Sequence, residues 1–295
     1  MTSIATGRAV VVPRRLPADV RRRRLLRSVA DHSLAIALSL MFLLPFVFVV
    51  STALMHRAQV GTGRLVPRPI DWHNFAAVVT DIPFLRYLGN TVEYAGLSTL
   101  GVVVSSVPVA YALARLRFRG RNLLFVVLLA TMMLPDQVTS VPLYIVYTRL
   151  HWIGSLKPLI VPSYFGDAFS IFLLRQFFLT IPQELCEAAR VDGAGEVSIL
   201  TRVVVPLAKP AIAAVALFNF LYAWNDFYNP LIYTGNSTRS QTLAVALSQF
   251  TALNKGNEYE LQMAASLLFT LPVIVLFFFA QKVFVEGVTL TGVKG

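Results

Sequence analysis

The chain has 295 residues, 56% of them hydrophobic and 14% charged, with a mean hydropathy of +0.65. Soluble domains carry about a quarter charged residues, so this composition excludes an ordinary globular enzyme and points to a single membrane domain. The formal charge of +11 lies between apolar blocks and not on an aromatic-flanked basic stripe, which argues against a nucleic-acid partner.

Residues 1–32 are Arg-rich, lack helical periodicity and read as a disordered cytoplasmic leader, or one lying on the anionic lipid of the membrane. The first apolar block, 33–55, is too long and too far from the start to be the apolar core of a cleaved signal. It reads as the first span. Residues 56–89 hold Pro67, Pro69, Asp71, Trp72 and Pro83 and read as an extracytoplasmic loop with short interfacial helices. Further spans fall at 90–113, 123–143, 159–178, 211–232 and 263–285. At about 1.5 Å per residue each can cross a hydrocarbon core of about 30 Å. Several hold Pro, Gly or Asp, which is tolerated where neighbouring helices or a water-filled cavity satisfy the backbone. The expected fold is therefore an all-α membrane protein, with six transmembrane helices over 33–285 and a cytoplasmic tail at 286–295.

The basic residues set the orientation. Arg8 to Arg27, the group Arg115, Arg117, Arg119 and Arg121, and the group Arg175, Arg190, Arg202 and Lys209 fall on one side, with Lys282 and Lys294. That side holds 18 of the 26 Lys and Arg residues, so both termini are expected to be cytoplasmic.

The connection at 180–210 is the most informative. Thr180 and Gln183 have capping-box spacing, and Pro182 suits a first helical turn, so a helix is expected over 182–191. Asp192-Gly193 should end it through a positive φ at Gly193. A second helix over 196–205 should stop ahead of Pro206. The result is a helix-turn-helix in the plane of the cytoplasmic face, with Ala188 and Ala189 giving a small-residue surface that a partner can approach.

Glu187-Ala188-Ala189, then Gly193, then nine residues and Val203-x-Val205-Pro206 resembles the signature loop of permease subunits of binding-protein-dependent ATP-binding-cassette importers. Val203 and Val205 stand where the family pattern has Ile and Leu. Tyr111-Ala-Leu-Ala-Arg115 with Phe118-Arg-Gly-Arg121, Trp224-Asn225-Asp226, and Gln281-Lys282, Gly287 and Val293-Lys294-Gly295 are similar to the carbohydrate-type permeases, and most to the maltose-type second subunit. Thr291 and Gly292 depart from the usual Gly-Ala of that tail. The resemblance implies a multi-pass subunit of the bacterial plasma membrane that docks an ATPase through the loop, with Glu187, Ala188, Ala189, Asp192, Gly193, Ala194 and Pro206 as docking residues and Val293, Lys294 and Gly295 as a tail contact. It also implies a homologous permease partner, two ATPase subunits, an extracytoplasmic solute-binding protein and a sugar substrate. ATP and Mg would bind the ATPase, with no cofactor on this chain.

The residues agree with that division. The chain has no Gly-x-x-x-x-Gly-Lys-[Ser/Thr] phosphate cradle. His32, His56, His73 and His151 lack paired-ligand spacing, and Glu184 and Glu187 face no expected substrate cleft. No catalytic or metal site is expected. Asp136, Asp167 and Asp226 fall within spans, where a charge is costly. Two readings stay open for them: a polar face on an outward-opening cavity, or capping and pairing at helix breaks. Asp226 is the best cavity candidate, with Tyr222, Trp224 and Tyr228 around it in sequence, and Asn225 is the further candidate for that face. The alternatives are a related importer for amino acids or phosphate, or an autonomous secondary carrier, which would not need the signature loop.

Overall fold

In the computed structural model of the protein, residues 18–235, 237–253 and 258–292 are described, with the side chains of 18–25, Asp136, 251–253 and 279–292 left out. No Gly or Pro falls between Ala18 and Leu44, and one helix, α1, runs through this stretch over Ala18–Ala53. Residues 18–32 were expected in a disordered leader and are helical instead. Arg and Leu are good helix formers, and extending a helix from a nucleated apolar span costs little. Residues 1–17 of the leader lie outside the described residues.

The loop that follows holds α2 (His73–Asp81). Buried Asn74 ties it back to α1 by donating to Ala53 O at 2.9 Å and Met55 O at 2.8 Å. Helix α3 (Phe84–Arg115) starts six residues earlier than expected and is the central strut, packing against helices on several sides.

The third expected span is two helices, α4 (Arg121–Thr131) and α5 (Asp136–Arg149). Pro135 lies at the break, and the residue before a proline is steered away from helical backbone. The fourth is also broken, into α6 (Lys157–Ile160), a 3₁₀ turn at Val161–Phe165 and α7 (Ala168–Thr180). Gly166, at φ +100°, makes the corner.

The connection at 180–210 folds as α8 (Gln183–Val191), α9 (Glu196–Ile199), a widened π turn at Leu200–Val204 and α10 (Val205–Leu207). The second helix was expected to stop before Pro206. It continues through it, because the π turn shifts the bonding register around a residue with no N–H to donate. Helix α11 (Lys209–Asn225) then leaves at 80° to the Glu196–Leu207 segment.

A corner at Asp226 separates α11 from α12 (Tyr228–Tyr233). Helix α13 (Leu243–Leu253) lies between the fifth and sixth expected spans. Its Leu243, Ala246 and Phe250 are buried with Val78, Phe84 and Tyr87. Helix α14 (Tyr259–Gly292) completes the chain and packs along α1.

Among the described residues, three helices are long and apolar enough to cross a membrane: Leu26–Ala53 within α1, α3, and Tyr259–Phe278 within α14. The remaining expected spans are interrupted helices. At about 1.5 Å per residue the 17 residues of α11 reach about 26 Å, short of a core of about 30 Å.

The molecule has two distinct ends. At one, Asn90 donates to Arg239 O and Gln241 O, Ser240 donates to Gly154 O at 2.6 Å, and Arg57 pairs with Glu258 at 3.0 Å. The end of α3, the end of α7 and the 180–210 unit meet at the other, around Tyr111, Phe178, Cys186 and Ile199.

Candidate functional site

The helix-turn-helix is built by local chemistry. Pro182, not Thr180, is the N-cap of α8. Thr180 closes α7, its hydroxyl donating to Phe177 O at 2.7 Å, so the capping box does not form. Ile181 and Pro182 are extended, which carries the Thr180 hydroxyl away from the next helix. Gln183 instead donates to Glu187 Oε1 at 2.7 Å, one turn along.

The stop of α8 is as expected and is a Schellman motif. Gly193 N–H donates to Arg190 O at 3.0 Å, and Ala194 N–H to Ala189 O at 2.9 Å. Gly193 has φ +83°, and a Cβ there would meet nothing within 4 Å. The turn therefore needs glycine for its backbone, and it projects into open space.

One face of this unit is fixed to the spans. Cys186, Ile199, Val204 and Ala208 are at most 1% exposed and pack with Tyr111, Ala114, Phe178 and Ile181. Each large aliphatic side chain so buried contributes about 1.5–3 kcal/mol. The Arg115 guanidinium donates to Phe178 O in the last turn of α7 and to Ile181 O at its C-cap. Arg175 donates to Leu113 O at 3.2 Å and lies 4.0 Å from the centre of the Phe125 ring. These arginines seal helix ends.

Glu196 gathers three elements. Its carboxylate accepts two bonds from Arg190, at 2.8 and 3.2 Å, across the turn from α8. It also accepts the Tyr111 hydroxyl of α3 at 2.5 Å. The Arg190 bond, and then the Tyr111 bond, hold the Glu196 carboxyl below the usual carboxylate range, while the Glu196 bond raises Arg190. Sequence reading missed this trio. Tyr111 stood only in a family motif and Arg190 only in a charge count. The acid–base pair spans a turn at separation six, but nothing local joins position 111 to 196.

The opposite face is open. Glu187, Ala188, Asp192, Gly193 and Pro206 are exposed, whereas Ala189 and Ala194 are half-buried against the core. Val191 at 88% and Val197 at 76% exposure flank the glycine turn. Two β-branched side chains bare to that degree beside a projecting turn suit a protein partner.

The expected pathway residues do not form one group. Asp167 caps α7, accepting Ser170 N–H at 2.7 Å. Asp226 is 9% exposed and accepts the Tyr94 hydroxyl at 2.8 Å, with Asn229 N–H and side-chain amide at 3.2 and 3.1 Å. Trp224 is buried beside Phe220 and Phe269. Tyr222 and Asn225 are exposed, three residues apart on one face of α11. Asp136 opens α5, and its side chain lies outside the described residues. Val293, Lys294 and Gly295 also lie outside them. Among the described residues no cluster of His, Cys, Asp and Glu could hold a metal ion.

Comparison with known proteins agrees with this geometry. The arabinooligosaccharides transport system permease protein AraQ of Bacillus subtilis is 35% identical over 212 residues, 72% of this chain and 74% of its own length. The sn-glycerol-3-phosphate transport system permease protein UgpE of Yersinia pestis is 33% identical over 229 residues, 76% of this chain and 81% of its own. A chain in the crystal structure of a bacterial ATP-binding-cassette transporter involved in alginate import superposes with a TM-score of 0.75 at 25% identity, covering 88% of this chain and 97% of that one. Residues 106–290 match the family described as the inner membrane component of binding-protein-dependent transport systems. With an exposed loop face anchored to the end of a long span, and with these relatives, the chain belongs to that family of importer permeases.

Proposed function

We propose that this chain forms one half of the translocation pathway of a carbohydrate importer and takes its driving force from a separate ATPase seated on residues 180–210. The observation that carries this reading is the two-faced loop: an inner face locked to α3 and an outer face presenting Glu187, Ala188, Asp192 and Gly193. A juxtamembrane helix that merely rests on lipid would put its apolar face outward. Here the buried face is the apolar one, and the exposed face mixes acids with two bare valines. ATP and Mg belong to the ATPase in this reading, with two copies of it serving this chain and a homologous permease. An extracytoplasmic solute-binding protein delivers the solute. The docking end is cytoplasmic, and so are both termini, in keeping with the arginine distribution.

The relatives named above are described as permeases for arabino-oligosaccharides and for sn-glycerol-3-phosphate. Both solutes are polyhydroxylated, which suits a pathway lined by hydroxyl and amide groups such as Tyr222 and Asn225. A phosphorylated polyol is thus the second reading for the solute.

Replacing Gly193 by Leu tests the docking role. A side chain at φ +83° costs about 1–2 kcal/mol of backbone strain and puts four carbons where the partner would seat. The expected result is loss of the ATPase on co-purification while the helices still insert. A Gly193→Leu complex that stays assembled, with normal ATP turnover in response to the loaded binding protein, would refute docking through this turn.

A further inference from the structure

The docking face explains where a partner sits, but not how its movement reaches the pathway. Cys186, Ile199 and Val204 hold the loop to α3 by apolar packing, which is non-directional and tolerates sliding and rotation. The polar contacts at Glu196 are directional. One carboxylate joins the last turn of α8, the first turn of α9 and a tyrosine of α3 that is 3% exposed. Arg190 closes the hinge at 192–195, so α8 and α9 move together. Tyr111 fixes their rotational position on α3. That helix in turn packs against α7 and α11, the helix that carries Tyr222 and Asn225.

We propose that Tyr111, Glu196 and Arg190 form a coupling latch, in which Glu196 transmits displacement of the docked loop to α3 through the Tyr111 hydroxyl. These are positioning residues: they touch neither nucleotide nor solute. The proposal rests on the docking role of the loop and adds the route by which force leaves it. A bond at the rim of the membrane suits this task, because the ring is buried within the helix packing while the carboxylate stays half-exposed with the loop. Bidentate pairing of Arg190 with the carboxylate adds geometric definition that a lone ion pair lacks.

The test uses the whole importer, reconstituted in lipid with its permease partner, ATPase and binding protein. Three quantities are read for each variant: ATPase retained per permease, stimulation of ATP turnover by the loaded binding protein, and solute moved per ATP. Tyr111→Phe removes only the hydroxyl and keeps the buried ring. It should retain the ATPase but lose about fivefold or more of the stimulation, the lower range of an allosteric coupling, with solute per ATP falling in parallel. Glu196→Gln should shift the same two ratios, and the double variant should be no worse than the more affected single one, because both substitutions break the same link. Three results would overturn the latch: Tyr111→Phe with stimulation and solute per ATP as in the unaltered protein, Tyr111→Phe complexes that shed the ATPase, or additive losses in the double variant. The first leaves docking intact, since ATPase retention reads docking separately. Failure of docking itself shows instead in Gly193→Leu complexes that keep both assembly and stimulation.

Discussion

At position 226 the sequence offers a carboxylate inside a span beside two aromatic residues, a pattern that invites a cavity. The geometry brings Tyr94 and Asn229 as donors to that carboxylate, which is 9% exposed, so it ties α11, α12 and α3 together at a helix corner. Asp226→Ala would remove the carboxylate that the Tyr94 hydroxyl and the Asn229 amide donate to. We expect it to lower the stability of the purified protein by about 1.5–3 kcal/mol, the range for hydrogen bonds to charged groups, read as a fall in melting temperature. Asp226→Asn should be milder, since an amide oxygen still accepts. An unaltered melting temperature, combined with weaker solute-dependent ATP turnover, would instead put Asp226 on the pathway. Local chemistry was the legible part at this scale. Gly193 and the extent of α8 follow from short-range signals, whereas the Tyr94–Asp226 bond joins residues 132 apart in sequence and leaves no local trace.

The helix-turn-helix at 180–210 adds a pH dependence at the scale of a helix pair. Glu196 has its folded pKa depressed by Arg190 and Tyr111. The stability it gives the loop is therefore fully present above its unfolded value of about 4.3. It is lost as pH falls below that value and through the folded one. Amide hydrogen exchange at Ala194, whose N–H closes the α8 stop, should stay protected across neutral pH and loosen only in that acid window. Glu196→Gln should abolish the acid step. Loosening between pH 6 and pH 7 in the unaltered protein would contradict the assignment. The interrupted spans belong to the same scale. Pro135, Gly166 and Asp226 could be seen as break points in sequence, but whether a break kinks a helix or divides it depends on neighbours. Helix α13 was not expected, because its 11 residues are too few for a span.

For the whole molecule, the two-ended arrangement makes a topological prediction. The connections holding Lys157 and Thr238 share one end with Asn90 and Arg239, opposite the docking loop. Single cysteines at these two exposed positions should react with an impermeant thiol reagent in intact cells. Cys186, the only native cysteine, is 1% exposed and should stay silent. Labelling of either site from the cytoplasmic face alone would reverse the orientation. The fold class, the family and the helix-turn-helix at 180–210 could be read from sequence because hydropathy blocks and the Glu187–Pro206 pattern are contiguous in the chain. Which residues of α11 are exposed could not, because Tyr222 and Trp224 lie two residues apart yet face opposite surroundings.

The most direct measurement of the central claim is solute uptake into proteoliposomes holding this chain with its permease partner, with and without the ATPase and the loaded binding protein. The account expects uptake only when both are present with ATP and Mg, and loss of uptake when Gly193→Leu removes the ATPase. Sustained uptake by the permease pair alone, driven by an ion or solute gradient, would contradict it and identify an autonomous carrier.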